Sequence, residues 1–169
     1  MARRKQILVI GYGKDHCNQA AYEAAYEVGL CIAKIGAVLV TGGLGGVMEA
    51  SSQGAKKGGG LVVGIIPQAD KGAANDYCDV VVATGIGLAR DFLTAYSADA
   101  IIVVGGGAGT LIELAAAYHV GTPIITVRGT GGVADQFAGR YIDDRKLGKV
   151  LSEGSPDAAV KRAFSLIKT

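Results

Sequence analysis

Five glycine clusters in this chain each stand at the end of a β-branched apolar run and ahead of a helix-forming one, and that punctuation leaves few folds open. The apolar runs are QILVIG (6–11), AVLVTGG (37–43), LVVGIIP (61–67), DVVVATG (79–85), DAIIVVGGG (99–107) and PIITVRGTGG (123–132). Helices are expected between them at 18–36, from an Asn18 N-cap to a stop at Gly36, and at 47–59, 88–98 and 111–121. A last one is expected at about 155–168, with Ser155 as N-cap and Pro156 in its first position. Residues 68–78 and the stretch after 132 read as polar connectors. Strand–helix alternation of this kind makes βαβ units with right-handed crossovers. The expected fold is therefore α/β: a Rossmann-like, doubly wound, mainly parallel sheet with helices on both faces. No linker, low-complexity tract or repeat interrupts it, so residues 1–169 are expected to be one nucleotide-binding domain.

Composition agrees. Half the residues are hydrophobic and 19% are charged, and the mean hydropathy of +0.34 suits apolar strands enclosed between helices. A net charge of +2 gives no electrostatic footprint for a polyanion, so a nucleic-acid partner is not expected. The three cysteines, Cys17, Cys31 and Cys78, form no CxxC pair and suggest neither a disulfide framework nor a zinc site. No metal site is expected, and a reducing cytoplasm fits. The basic start, with Arg3, Arg4 and Lys5 read as a solvated tail, leads into an apolar run too short for a signal peptide or a membrane span.

The glycines fall at the carboxyl ends of the strands: Gly11 and Gly13; Gly42, Gly43, Gly45 and Gly46; Gly85 and Gly87; Gly105, Gly106, Gly107 and Gly109; and Gly129 to Gly132. Ligands of open parallel sheets bind at that edge, where strand order reverses. Glycine lets backbone approach a ligand, and the helix that follows offers free amides to an anion. Gly11, Gly13, Gly42, Gly43, Gly45, Gly46, Gly106, Gly107, Gly109 and Thr110 are the expected phosphate ligands. GYGKDH (11–16) lacks the third glycine of GxGxxG, GGGAGT (105–110) has Thr110 in its place, and no GxxxxGK[ST] occurs. Neither dinucleotide nor ATP-hydrolysing chemistry is implied.

Two charged residues sit at this edge. Thr110 and Glu113 have the spacing of a capping box, yet a carboxylate among exposed backbone is also placed to act on a substrate. Arg90, on the first turn of its helix, opposes the helix dipole and is suited to clamp a phosphate; an exposed salt bridge to Asp91 or Glu113 is the plainer reading. Cys17 reads as a small loop residue or a dipole-favoured thiolate, His16 as a possible substrate contact, and His119 as a C-terminal helix cation. Tyr22, Tyr26, Tyr96 and Tyr118 read as packing or interface residues. Arg128 and Thr130 read as an extra anion contact or a plain turn.

LVTGGLGGVMEASSQGAKKGGGLVVGIIP (39–67) and GGGAGTLIE (105–113) resemble the Lonely Guy family of phosphoribohydrolases, often labelled lysine decarboxylases, over about residues 6 to 130. The resemblance implies catalytic roles for Glu113, in the PGGxGTxxE motif, and for Arg90. Gly105 replaces the motif's proline, Ile112 replaces an acid, and GLARD (87–91) keeps only the arginine of Met-His-Glu-Arg-Lys. The wording, with VRGTGG (127–132), is more similar to the branch holding molybdenum cofactor carrier proteins. That branch implies binding without turnover, with a phosphorylated pterin, the molybdenum cofactor, as cargo and no resident cofactor. The resemblance also implies a homodimer or larger homo-oligomer. A decarboxylase would need a Schiff-base lysine, and only Lys14 lies by the glycine loops. The expected function is binding of a nucleoside monophosphate or molybdopterin-type ligand; the alternative is cleavage of the N-glycosidic bond of a nucleoside 5′-monophosphate.

Overall fold

The computed structural model describes residues 3–168. Met1, Ala2 and Thr169, which the expected domain also takes in, lie outside them. Seven strands form one sheet in the order β4-β3-β2-β1-β5-β6-β7, parallel throughout. They are β1 (Gln6–Gly11), β2 (Val38–Thr41), β3 (Leu61–Ile66), β4 (Val80–Ala83), β5 (Ala100–Val104), β6 (Ile124–Val127) and β7 (Leu151–Glu153). The helices are α1 (Gln19–Lys34), α2 (Val47–Lys57), α3 (Arg90–Tyr96), α4 (Ala108–Val120), α5 (Gly132–Phe137) and α6 (Pro156–Leu166). The chain winds outward from β1 to β4 and then returns to place β5 against β1, with Gly11 opposite Val104. The crevice at the top of β1 and β5 is therefore the switch point.

Strands this apolar need cover on both sides. Ile7, Val9 and Leu39 pack under α1, α2 and α6, with Ala25, Val28, Ala50 and Val160 among their partners. Leu8, Ile10, Ile101 and Val103 face α3, α4 and α5, meeting Ala95, Leu114 and Ala134. On the first side α1 and α2 cross at two glycines: a Cβ on Gly29 would lie 1.9 Å from the Ser51 carbonyl oxygen, and one on Gly54 1.9 Å from that of Tyr26. This close crossing fixes how the loops after β1 and β2 meet above the sheet.

Asn18 and Ser155 cap α1 and α6 as expected, each side chain accepting an amide proton of its helix's first turn. Four local expectations change. Residues 133–154 are more than a connector, containing most of α5 and all of β7, elements of six and three residues that carry too few apolar positions to show a period. The helix expected at 88–98 opens with a 3-10 turn at Gly87–Ala89 before α3. The helix expected from 111 starts at Ala108, with Gly107 as N-cap. Arg3 is not a free tail residue, because its guanidinium pairs with both oxygens of Asp99 at 2.6 and 2.7 Å.

Candidate functional site

A cavity of about 210 Å³ opens on the ligand edge, lined by Gly11 from β1, Gly42 after β2, Met48 from α2, Leu88, Arg90 and Asp91 before and in α3, and Gly109, Thr110 and Glu113 from α4. The fold thus brings Arg90 and Glu113 into one cavity, although they lie 23 positions apart in sequence.

Arg90 is buried, 8% exposed, which replaces the expected exposed salt bridge. One terminal nitrogen donates to the carbonyls of Gly42 at 2.9 Å and Ile65 at 2.6 Å. Gly42 makes room for it, since a Cβ there would lie 2.4 Å from that nitrogen. Nε is buried and makes no hydrogen bond among the described residues, although Asp91 Oδ1 lies 3.4 Å away. The guanidinium is therefore anchored at one end and left with a donor unsatisfied at the other.

Glu113 is also 8% exposed. Its Oε1 lies 2.7 Å from the Thr94 hydroxyl, which in turn lies 2.9 Å from the carbonyl oxygen of Asp91. Burial pushes the Glu113 carboxyl up to about 8; Asp91 adds to that, while Arg90 and a donating Thr94 hydroxyl pull against it. Burial likewise raises Asp91, with Arg90 opposing. The expected capping box does not form. Because α4 begins at Ala108, Thr110 is its third residue and Glu113 its sixth, beyond reach of the N-cap amide. Thr110 instead donates to the Gly11 carbonyl at 3.0 Å, tying α4 to the end of β1.

With no side chain capping it, the start of α4 keeps its amides open. Those of Gly107, Ala108, Gly109 and Thr110 find no acceptor among the described residues, and Gly107 and Ala108 are exposed. Four unpaired amides thus stand at the positive end of a 13-residue helix. Of the expected glycine ligands, Gly11, Gly42 and Gly109 line the cavity. Gly43, Gly45, Gly46 and Gly106 pack against their own chain; Gly106, at φ +107°, would push a Cβ to 2.5 Å from Thr110 Cγ2. Gly13 and Gly107 have ordinary negative φ and nothing within 4 Å of a Cβ. No contact within the fold calls for glycine at these two places.

In the VRGTGG turn backbone amides are already taken. Asp135 already accepts from the amides of Gly129 and Gly131 at 2.8 and 2.9 Å, and the Thr130 hydroxyl accepts from Gly105 N and donates to Val127 O. The turn instead braces the glycine ledge at 105–106. His16 is exposed in the first loop and His119 in the last turn of α4, and neither lines the cavity. Burial raises the Cys17 thiol, the direction of an inert side chain. Tyr118 packs in the core and its hydroxyl meets Asp143, pinning the segment before β7. Sequence reasoning missed Thr94 and gave Asp91 no part in the cavity. The signal was there: Arg90 and Thr94 are four apart and share a helix face. Among the described residues no three His, Cys, Asp or Glu side chains converge to hold a metal, and no helix is long and apolar enough to cross a membrane.

Comparison with known proteins agrees with this architecture. Residues 4–160 match the family profile described as LDcluster4, SLOG cluster4 family. A protein of Archaeoglobus fulgidus, described as uncharacterized, is 49% identical over 123 residues, covering 73% of this chain and 80% of its own length. The molybdenum cofactor binding protein of Rippkaea orientalis superimposes with a TM-score of 0.88 at 33% identity, over 99% of this chain and 100% of that one. The molybdenum cofactor carrier protein of Chlamydomonas reinhardtii gives 0.83 at 32%, over 97% and 98%.

Proposed function

The chain belongs to the SLOG cluster4 family, and from that premise we propose that it binds a small phosphorylated heterocyclic ligand at the carboxyl edge of β1, β2 and β5 and releases it unchanged. The observation that carries this reading is the run of open amides at the start of α4 beside a cavity whose wall also holds the Arg90 guanidinium. An anionic ligand would meet those amides at the positive end of the helix. The cavity, about 210 Å³, is smaller than the roughly 300 Å³ at which sites for drug-sized ligands begin. It suits a sugar-phosphate-sized part, with the heterocycle lying over the open loops. A nucleoside monophosphate and a molybdopterin-type cofactor both have that form, and the carrier neighbours favour the second as cargo. Arg90, Glu113, Thr110 and the glycines at 11, 13, 42, 107 and 109 are the residues we assign to it.

Phosphoribohydrolase activity is the second reading, favoured by Arg90 and Glu113 lining one cavity. It would use Glu113 as a carboxylate beside the positive charge developing at C1′. Burial holds that carboxyl toward its uncharged form, and the similar solved proteins are described as molybdenum cofactor binding and carrier proteins; binding is the better supported of the two. Self-association belongs to the same proposal: Ile86, Leu88, Phe92, Leu93 and Tyr96 are all over 40% exposed around α3, an apolar patch suited to a second copy. Calorimetric titration with adenosine 5′-monophosphate, adenosine and inorganic phosphate tests the binding site. Heat from the monophosphate but not the nucleoside supports it, and no heat from either phosphate compound refutes it.

A further inference from the structure

The two oxygen contacts of Thr94 bear on where one proton lies. A threonine hydroxyl has one proton to donate and two lone pairs with which to accept. The Thr94 oxygen lies 2.9 Å from the Asp91 carbonyl oxygen and 2.7 Å from Glu113 Oε1. With Glu113 ionised, both neighbours are pure acceptors and one of these contacts holds two oxygens together with no proton between them. The carbonyl has no proton to give. Both contacts are satisfied only when Thr94 donates to Asp91 and Glu113 itself donates to Thr94.

The surroundings favour the same state. From α3, Glu113 faces Arg90, Asp91 and Thr94; β1 and β6, which pack beneath α4, bring no titratable side chain. The single cation among these, Arg90, is engaged by two carbonyls and lies beside Asp91. A second carboxylate in this buried space would face Asp91 with little to offset it.

We propose that Glu113 meets the ligand as an undissociated acid, its proton shared with the Thr94 hydroxyl, so that a phosphorylated ligand binds in competition with ionisation of this one side chain. The proposal rests on the phosphorylated-ligand reading above and deepens it. An uncharged wall lets a phosphate approach Arg90 and the α4 amides without repulsion; an ionised Glu113 places a negative charge in the same cavity. Thr94 is then a positioning residue, acting on the ligand through Glu113.

Two measurements separate this from failure of the binding site itself. In protein carrying ¹³C-labelled glutamate, the Glu113 carboxyl resonance should stay in the protonated position at pH 6–7 and titrate near 8; a carboxyl titrating in the ordinary glutamate range overturns the proposal. This needs no ligand and no variant. Second, adenosine 5′-monophosphate is titrated calorimetrically from pH 7 to 9.5, where its phosphate, with a second pKa of about 6, no longer changes charge. Affinity should fall toward about tenfold per pH unit above pH 8, and E113Q, which carries no ionisable group there, should flatten the profile. Parallel profiles for the two proteins overturn the proposal. If adenosine 5′-monophosphate does not bind at any pH, that ligand class fails, while the NMR titration still decides the state of Glu113.

Discussion

Replacing Arg90 by methionine tests whether its anchored guanidinium holds the site together before any ligand arrives. The substitution keeps an apolar stem but removes the donor to the carbonyls of Gly42 and Ile65. Hydrogen bonds from a charged donor contribute about 1.5–3 kcal/mol each, so two set a ceiling of about 6 kcal/mol. Removing the cation also removes the cost of burying it, several kcal/mol in itself, yet it leaves Asp91 buried without its counter-charge. A net loss of about 3 kcal/mol is expected, or about 6–12 °C in Tm for a chain of this size. Urea denaturation and calorimetry of the ligand-free protein at pH 7 give the number directly. A variant within about 0.5 kcal/mol of the wild type would show that these bonds do not hold the end of β2 to α3, and that Arg90 serves the ligand alone.

Three further outcomes follow from the same geometry. Glu113→Gln should flatten the pH dependence of stability. The folded-state pKa of Glu113 is raised, so its contribution is complete below the unfolded value of 4.5 and is lost as pH rises toward about 8. The wild type should thus lose up to about 1.4 kcal/mol per pH unit across that window relative to E113Q. Parallel urea-denaturation curves from pH 5 to 8 would rule this out. Gly107→Ala should leave Tm within about 2 °C, since its Cβ meets nothing, yet weaken adenosine 5′-monophosphate binding at least tenfold by blocking the α4 amides; equal affinity would move the anion away from that helix. Gly54→Ala should cost at least about 2 kcal/mol through its 1.9 Å clash at the α1–α2 crossing, despite the better helix propensity of alanine; a stabilised variant would mean that the crossing yields freely.

The layers of this fold were legible because β-branched runs and glycine stops mark each buried parallel strand, as at 6–11 and 99–107. β7 and α5 were not, because three- and six-residue elements take their stability from the neighbours they dock on: β7 from β6, and α5 from the Gly105–Gly106 ledge, whose carbonyls accept from Ala134 and Val133. The motif spacing pointed to Arg90 and Glu113, but their burial came from the approach of α3 to α4, which local sequence does not encode. The capping-box expectation failed for the same reason. Thr110 and Glu113 have the right separation, but where α4 begins depends on the left-handed turns at Gly105 and Gly106 and on the brace from Thr130. Asp135, which fills the VRGTGG amides, lay in plain view six residues past Gly129, but nothing in the spacing marked it as the occupant.

The central claim, that the protein binds a phosphorylated ligand and returns it unchanged, is tested most directly by recovery of the ligand. Purified protein is equilibrated with adenosine 5′-monophosphate or a molybdopterin-type cofactor, separated from free ligand, denatured, and its contents resolved by chromatography. The account predicts near-stoichiometric recovery of intact, phosphorylated ligand. Free base and ribose 5-phosphate, released by the wild type and not by E113Q, would contradict it and make Glu113 the working carboxylate of a hydrolase.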